Sequence, residues 1–391
     1  MNKVNSTIFG LAFIVLLCGA ASATQINVNQ TGWWRNAGDT TFHAIDPGQI
    51  QAAIDNATAG DTIYVYNGSY NENVDVDKRL TLEGEGADVV TVTAETSADY
   101  VFYVTANYVN ITGFKVTGAT GTTTYIQGGF AGFFLNCAYH CNISDNIVSG
   151  NYNGIYLQAS GSNMLTGNDC SNNDNDGIAM YYESKYNMLT GNDCSNNDND
   201  GIYMYDVQHN TLTGNDCSNN GNRGIFLKIL TTNNMLTGND CSNNQWGIYL
   251  THSCDNNISC NWVQNNAVAG FYLEGYPNYG DSTGNTIENN NIIANGVYND
   301  TSGGYEWQFK NCQSSDVNTA NNWWGTNDET RIDASIYDQT HYASYGEVIT
   351  SPRLDGPAPC APVPELPTIA LLAVGLLMLA GYVRIERKKD E

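Results

Sequence analysis

Leu165-Thr-Gly-Asn-Asp-Cys-Ser-Asn-Asn173 returns almost unchanged from Leu189, Leu212 and Leu236. Its asparagines Asn168, Asn192, Asn215 and Asn239 are separated by 24, 23 and 24 residues. A fixed period of this size marks a chain built by stacking one unit on the next. One full unit, residues 201–220, reads Gly-Ile-Tyr-Met-Tyr, a polar turn, Asn-Thr-Leu-Thr-Gly-Asn, and then Asp-Cys-Ser-Asn-Asn. Apolar residues alternate with polar or aromatic ones, which is the period of a strand. The three-and-four spacing of a helical repeat is missing. Ile202, Met204, Leu212 and Cys217 point inward on this reading.

Three short strands per unit, split by Asn/Asp/Gly turns and rising about 4.8 Å per coil, describe an all-β, right-handed parallel β-helix. Weaker copies lengthen the array. Asn146 and Asn261 each lie 22 residues from the strong block, and Ile111 and Ile287 extend the leucine column. The array predicts about ten coils over residues 60–325, roughly 50 Å of solenoid.

Outward from the array, residues 1–23 read as a secretory signal: Lys3, an apolar run from Ile8, and Ala21-Ser-Ala23 as the cleavage site. Cys18 offers a lipoprotein alternative, against which stands the bulk of Leu17. Residues 24–59 form an N-terminal cap. Within it, Asp46-Pro47-Gly48-Gln49 predicts a short helix to about Ala57, with Asp46 as N-cap and Ile50, Ala53 and Ile54 on the apolar face. Such a helix covers the open first coil. Residues 326–354 form a C-terminal cap region, and 355–367 a proline-rich linker. Residues 368–391 carry an apolar run to Val383 and then Arg384, Arg387, Lys388 and Lys389, which predicts a membrane-spanning tail with its basic end inside the cell.

Ile50-Gln-Ala-Ala-Ile54 through Gly86 resembles the first coils of the pectin-lyase-like β-helix superfamily. The Asn153-Gly-Ile-Tyr-Leu157 and Leu-Thr-Gly-Asn copies resemble NosD-type repeats of carbohydrate-binding and sugar-hydrolysis (CASH) domains. Asn321-Asn-Trp-Trp-Gly325, running on to Gly346-Glu-Val-Ile-Thr-Ser-Pro352, resembles the end of such domains in surface proteins of methanogenic archaea. Pro364-Glu365-Leu366-Pro367 is similar to an archaeal PEF-type sorting motif, with Leu366 where Phe is usual. That resemblance implies a tail cut by an archaeosortase-like enzyme and exchanged for a lipid. A plain tail anchor is the alternative, and both put residues 24–363 outside the cell, at its surface.

The formal charge is −25. Without Lys3 and the tail from Leu366 (four basic, three acidic residues) it is −27. A chain this acidic excludes nucleic acid as a partner and leaves polysaccharide or cell-envelope components. Seven Asn-x-Ser/Thr sequons fall in the exported part. Asn110, Asn142 and Asn257 share one outward register and are the candidate glycosylation sites.

Three further groups bear on function. Cys170, Cys194, Cys217 and Cys241 fall in one inward column, whose parallel side chains suit packing better than bridging. Cys137/Cys141 and Cys254/Cys260 flank turns and are the better disulfide candidates. Asp174, Asp176, Asp198 and Asp200 lie in two identical Asn-Asp-Asn-Asp-Gly turns, readable as a calcium site or as a solvated polar edge. Phe134, Tyr156, Tyr203, Phe226, Tyr249 and Tyr272 each follow the recurring glycine by two residues. By alternation they point outward, as a candidate carbohydrate platform or as sheet-stabilising rings.

No catalytic constellation and no required cofactor emerges from the sequence. Arg223, Lys228 and the Asp turns are the groups a lyase would assemble. The reading is therefore a surface-anchored structural or glycan-binding β-helix. A polysaccharide lyase or glycoside hydrolase of the same superfamily is the alternative.

Overall fold

The computed structural model describes residues 23–122, 129–275 and 278–361. The chain winds as a parallel β-helix with two long faces. One is a thirteen-stranded sheet and the other an eleven-stranded sheet. A narrow third face starts as four strands and continues, from Ile147 to Trp262, as single bridges through Asp169, Asp193, Asp216 and Asp240.

Register follows the repeat. Leu165, Leu189, Leu212 and Leu236 pair across the thirteen-stranded sheet, and Ile178, Ile202, Ile225 and Ile248 across the eleven-stranded one. All eight are fully buried, as are Cys170, Cys194, Cys217 and Cys241. The cysteines behave as small apolar side chains, and burial pushes the thiols of Cys170 and Cys217 well up.

Each corner of the coil is closed by its own asparagine ladder. One runs from Asn146 through Asn168, Asn192, Asn215, Asn239, Asn261 and Asn290 to Asn322. A second runs from Asn151 through Asn173 and Asn197 to Asn295 and ends on Gln308. The third runs from Asn163 through Asn187, Asn210, Asn234 and Asn256 to Asn285. The residue before each ladder member turns the chain in the left-handed region. Gly191 (φ 61°) and Gly214 (φ 62°) do this without a Cβ penalty, while Asn172 and Asn196 (both φ 58°) do it as the non-glycine residue that tolerates it best.

The first helix, α1, spans Gln49–Asn56 and lays Ile50, Ala53 and Ile54 over the first coil. The expected Asp46 cap is not formed. The N-cap is Gly48, in the left-handed region, with no side-chain cap of its own. Glu72 from the next coil caps the helix instead, its carboxylate accepting from the main-chain N–H groups of Ile50 and Gln51 at 2.9 Å each. This position satisfies two of the free donors of the first turn and complements the helix dipole.

Regular pairing runs past residue 325. Ile336–Tyr337 adds the last strand of the eleven-stranded sheet, next to the short helix α2 (Glu329–Ala334). Val348–Ile349 pairs with Val317–Asn318. The following residues return over the final coils, tied by Leu354 N–H to Asn322, by Ala358 N–H to Asn291 and by a Cys260–Cys360 disulfide. This bridge replaces the turn pairings expected from the sequence: Cys137, Cys141 and Cys254 are free thiols. The signal region, the sorting motif Pro364–Pro367 and the apolar tail lie outside the described residues. Among the described residues no helix is long and apolar enough to cross a membrane.

Candidate functional site

The outward side of the eleven-stranded sheet gathers most of the groups singled out in the sequence. Pairing aligns Tyr103, Phe134, Tyr156, Ala179, Tyr203, Phe226, Tyr249, Tyr272, Lys310 and Tyr337 in one column. The six expected rings are therefore in register. They do not form the open platform the alternation suggested. Phe134, Tyr156, Tyr203, Phe226 and Tyr249 are at most 9% exposed, and only Tyr272 is half-buried.

The cause is ring-on-ring contact. Centroids lie 4.8 Å apart for Phe134–Tyr156 and Phe226–Tyr249, 5.4 Å for Tyr203–Phe226 and 4.6 Å for Tyr249–Tyr272. At Ala179, where the column lacks a ring, Tyr181 leans in from the next position and sits 5.2 Å from both Tyr156 and Tyr203. Phe134 and Tyr156 stack face to face, whereas Tyr203–Phe226 and Tyr249–Tyr272 meet edge to face, and the hydroxyls of Tyr156 and Tyr249 reach the rim at Gln158 and Glu274.

A parallel rim column runs beside the rings: Asn136, Gln158, Tyr181, Tyr205, Lys228, Thr251, Glu274 and Cys312. Most of its members are half-buried. Lys228 Nζ lies 5.9 Å from the Tyr203 and Tyr205 ring centres and 5.7 Å from that of Phe226, and its partial burial holds its pKa down. Lys310 Nζ sits 5.4 Å over Tyr272 and 4.8 Å over Tyr337. Glu274 accepts a hydrogen bond from the Tyr249 hydroxyl.

On the other flank the four turn aspartates separate into two pairs. Asp174 and Asp198 are exposed, whereas Asp176 and Asp200 are buried beside the ring column. Among the described residues no three His, Cys, Asp or Glu side chains converge as a metal cluster. The buried pair belongs to a ladder of main-chain bonds. Asp200 N–H donates to Asp176 at 3.1 Å, and Arg223 N–H to Asp200 at 3.0 Å.

Arg223 also places Nη1 3.4 Å from Asp200 Oδ2, with its guanidinium carbon 4.0 Å from the Phe226 ring centre. Burial, with the Asp200 charge beside it, pushes the Asp176 carboxyl up to about 8. Burial also raises Asp200, to about 6, with Arg223 holding it lower. The two carboxylates are thus inequivalent: burial and the neighbouring Asp200 charge raise Asp176, whereas Arg223 offsets the burial of Asp200. Of the groups a lyase would assemble, the structure brings Arg223 onto Asp200; the burial that separates Asp176 and Asp200 from Asp174 and Asp198 has no signal in the sequence.

The glycosylation candidates lie on the opposite sheet. Asn110 and Asn257 are exposed and Asn142 is half-buried, with Asn110 and Asn142 on adjacent strands.

This architecture is that of a right-handed β-helix. Two overlapping matches, residues 97–227 and 131–292, fit the model described as the right handed beta helix region, and together they cover half of the chain. The chain belongs to that family. Among solved structures, it is similar to the A-module of the Azotobacter vinelandii mannuronan C-5 epimerase AlgE6. That match has a TM-score of 0.55 over 79% of this chain and 94% of that one, at 15% identity. The A-module of AlgE4 from the same organism gives 0.50 over 80% and 96%, also at 15%. At this identity the likeness is one of fold. No curated protein matches the sequence.

Proposed function

We propose that the protein is an exported, surface-held β-helix that binds polysaccharide along the outward side of its eleven-stranded sheet. One observation carries this reading: a straight rim of half-buried groups, Tyr181, Tyr205, Lys228 and Glu274 among them, laid on a bed of interlocked rings. The bed holds the rim rigid, so little entropy is lost when a ligand docks. Hydroxyl, ammonium and carboxylate ends in a line match the hydroxyls of an extended sugar chain. The mannuronan epimerases of similar fold act on a polysaccharide by their names, which agrees in substrate class. Export and anchoring rest on the leader and tail sequences, with an archaeosortase-like enzyme as the processing partner.

The test is retention on a panel of immobilised neutral and acidic polysaccharides. Tyr205→Ala with Lys228→Ala removes two rim groups and should weaken retention about tenfold, equivalent to roughly 1.4 kcal/mol, with the melting temperature nearly unchanged. Retention equal to the parent would refute the reading.

The inequivalent pair Asp176 and Asp200 favours a second reading, an acid–base site of a lyase or glycoside hydrolase. Both carboxylates are buried, at 2% and 0% exposure, so a substrate would have to displace the side chains that cover them. Release of unsaturated or reducing chain ends from any member of the panel would establish this reading over binding alone.

A further inference from the structure

The motif Asn321-Asn-Trp-Trp-Gly325 takes no part in the sheet face. Asn322 ends one asparagine ladder, and Trp324, two residues on, lines a cavity of about 190 Å³ at the C-terminal end of the solenoid. The strands Val297–Asn299 and Gly304–Glu306 form a hairpin over it, and α2 forms another wall. Trp324 is 2% exposed, and its indole N–H has no hydrogen-bond partner.

Two more nitrogen donors line the same cavity. Gln308 uses its Oε1 to accept from Asn295 N–H and Nδ2 at 3.0 and 2.8 Å, and among the described residues its amide nitrogen has no protein partner. Arg331 commits Nε to Asp328 at 3.3 Å and keeps both terminal nitrogens without a protein partner among the described residues. Tyr298 and Tyr305, edge to face at 5.1 Å, supply aromatic wall. Among the described residues no aspartate or glutamate lines the cavity, in a chain with 40 of them.

We propose that this cavity binds a single carboxylate-bearing sugar, such as the uronate end of a glycan chain. Arg331 takes the carboxylate, since its planar fork matches two oxygens. Gln308 donates to a ring or hydroxyl oxygen, and the Trp324 ring and the tyrosines pack against the sugar's C–H face, which makes the indole a reporter of binding. The volume admits one ring and not a chain, so the cavity reads an end while the sheet side holds a strand. The inference stands independently of the sheet-face reading.

The experiment titrates the 15N-labelled full chain with D-glucuronate, D-glucose and acetate, following the Trp324 indole N–H resonance (assigned with Trp324→Phe). Glucuronate should give a saturable shift, and glucose and acetate at least tenfold weaker responses. Arg331→Gln, at a half-exposed side chain, should weaken glucuronate about tenfold while keeping polysaccharide retention. Tyr205→Ala with Lys228→Ala should do the reverse. An equal response to glucose or to acetate, no shift with glucuronate, or parent-like binding by Arg331→Gln would each overturn the proposal.

Discussion

Asn192→Ala tests the asparagine ladder where it is most regular. The side chain makes four hydrogen bonds. Its Oδ1 accepts from Asn168 N–H at 3.1 Å and from Asn168 Nδ2 at 3.0 Å. Its Nδ2 donates to the Leu165 carbonyl and to Asn215 Oδ1, both at 2.9 Å. Alanine removes all four at a site that is 1% exposed, and leaves the Asn168 main-chain N–H buried without a partner. That orphan costs about 1–3 kcal/mol and the three other lost bonds about 1 kcal/mol each, so the total is on the order of 4–6 kcal/mol. This is a large share of the stability of an ordinary domain. Asn192→Asp is the sharper companion. A carboxylate still accepts from Asn168, but its second oxygen then faces the Leu165 and Asn215 oxygens. The aspartate variant should be unstable at pH 7 and recover as acid protonates it. Urea unfolding followed by far-UV circular dichroism at pH 4 and pH 7 reads both. A loss under about 1 kcal/mol for the alanine variant, or no pH response for the aspartate, would refute the view that the ladder holds the corner.

Two further outcomes are expected. Asp176, raised to about 8 in the fold, titrates near its ordinary value of about 4 once unfolded. Between those values the unfolded chain gives up the proton first, so this group's share of stability is full below about pH 4 and lost as pH rises toward 8. The stability difference between Asp176→Asn and the parent should therefore grow in the variant's favour across that window, and parallel pH profiles would contradict the assignment. Cys360→Ser opens a bridge spanning 100 residues of sequence and should cost about 2–5 kcal/mol. It should also expose the 350–361 segment to protease ahead of the coils, and simultaneous cleavage throughout would count against it.

The coil register was legible because a period of 23–24 residues fixes which residues stack, and alternation then fixes which face the core. Ile202 and Leu212 needed nothing further. The period marks the column of Asn168, Asn192, Asn215 and Asn239 directly, while the ladders carried by Asn173 and Asn187 share it inside turns that look merely polar. Contacts between coils that share no repeat were not legible. The cap of α1 comes from Glu72, more than twenty residues downstream, and no local pattern marks it. The bridge from Cys260 reaches Cys360 because the chain doubles back over the last coils, beyond the repeats that organise the rest. Asp176 and Asp200 were visible as neighbours in register. Their burial was not, because Asp174 and Asp198 in the same two turns are exposed and nothing in the repeat separates the two pairs.

The ring column shows why alternation gave the correct side but the wrong surface. Strands in a sheet lie about 4.8 Å apart, and the rings here lie 4.6–5.4 Å apart from Tyr203 to Tyr272. Strand spacing and aromatic contact distance nearly coincide, so rings in register on a parallel sheet bury one another, here by tilted and edge-to-face contacts. Such a column offers a ligand its edges, its interruptions and its ends. Ala179 is an interruption, and Tyr181 fills it. The end is Tyr272, half-buried beneath the Lys310 ammonium. Any sugar bound on this side must therefore be held mainly by the rim and by the Tyr272–Lys310 end, with the stacked rings acting as the rigid bed beneath. Truncating the rim groups Tyr205 and Lys228 consequently probes recognition, whereas truncating Tyr203 or Phe226 would probe the sheet.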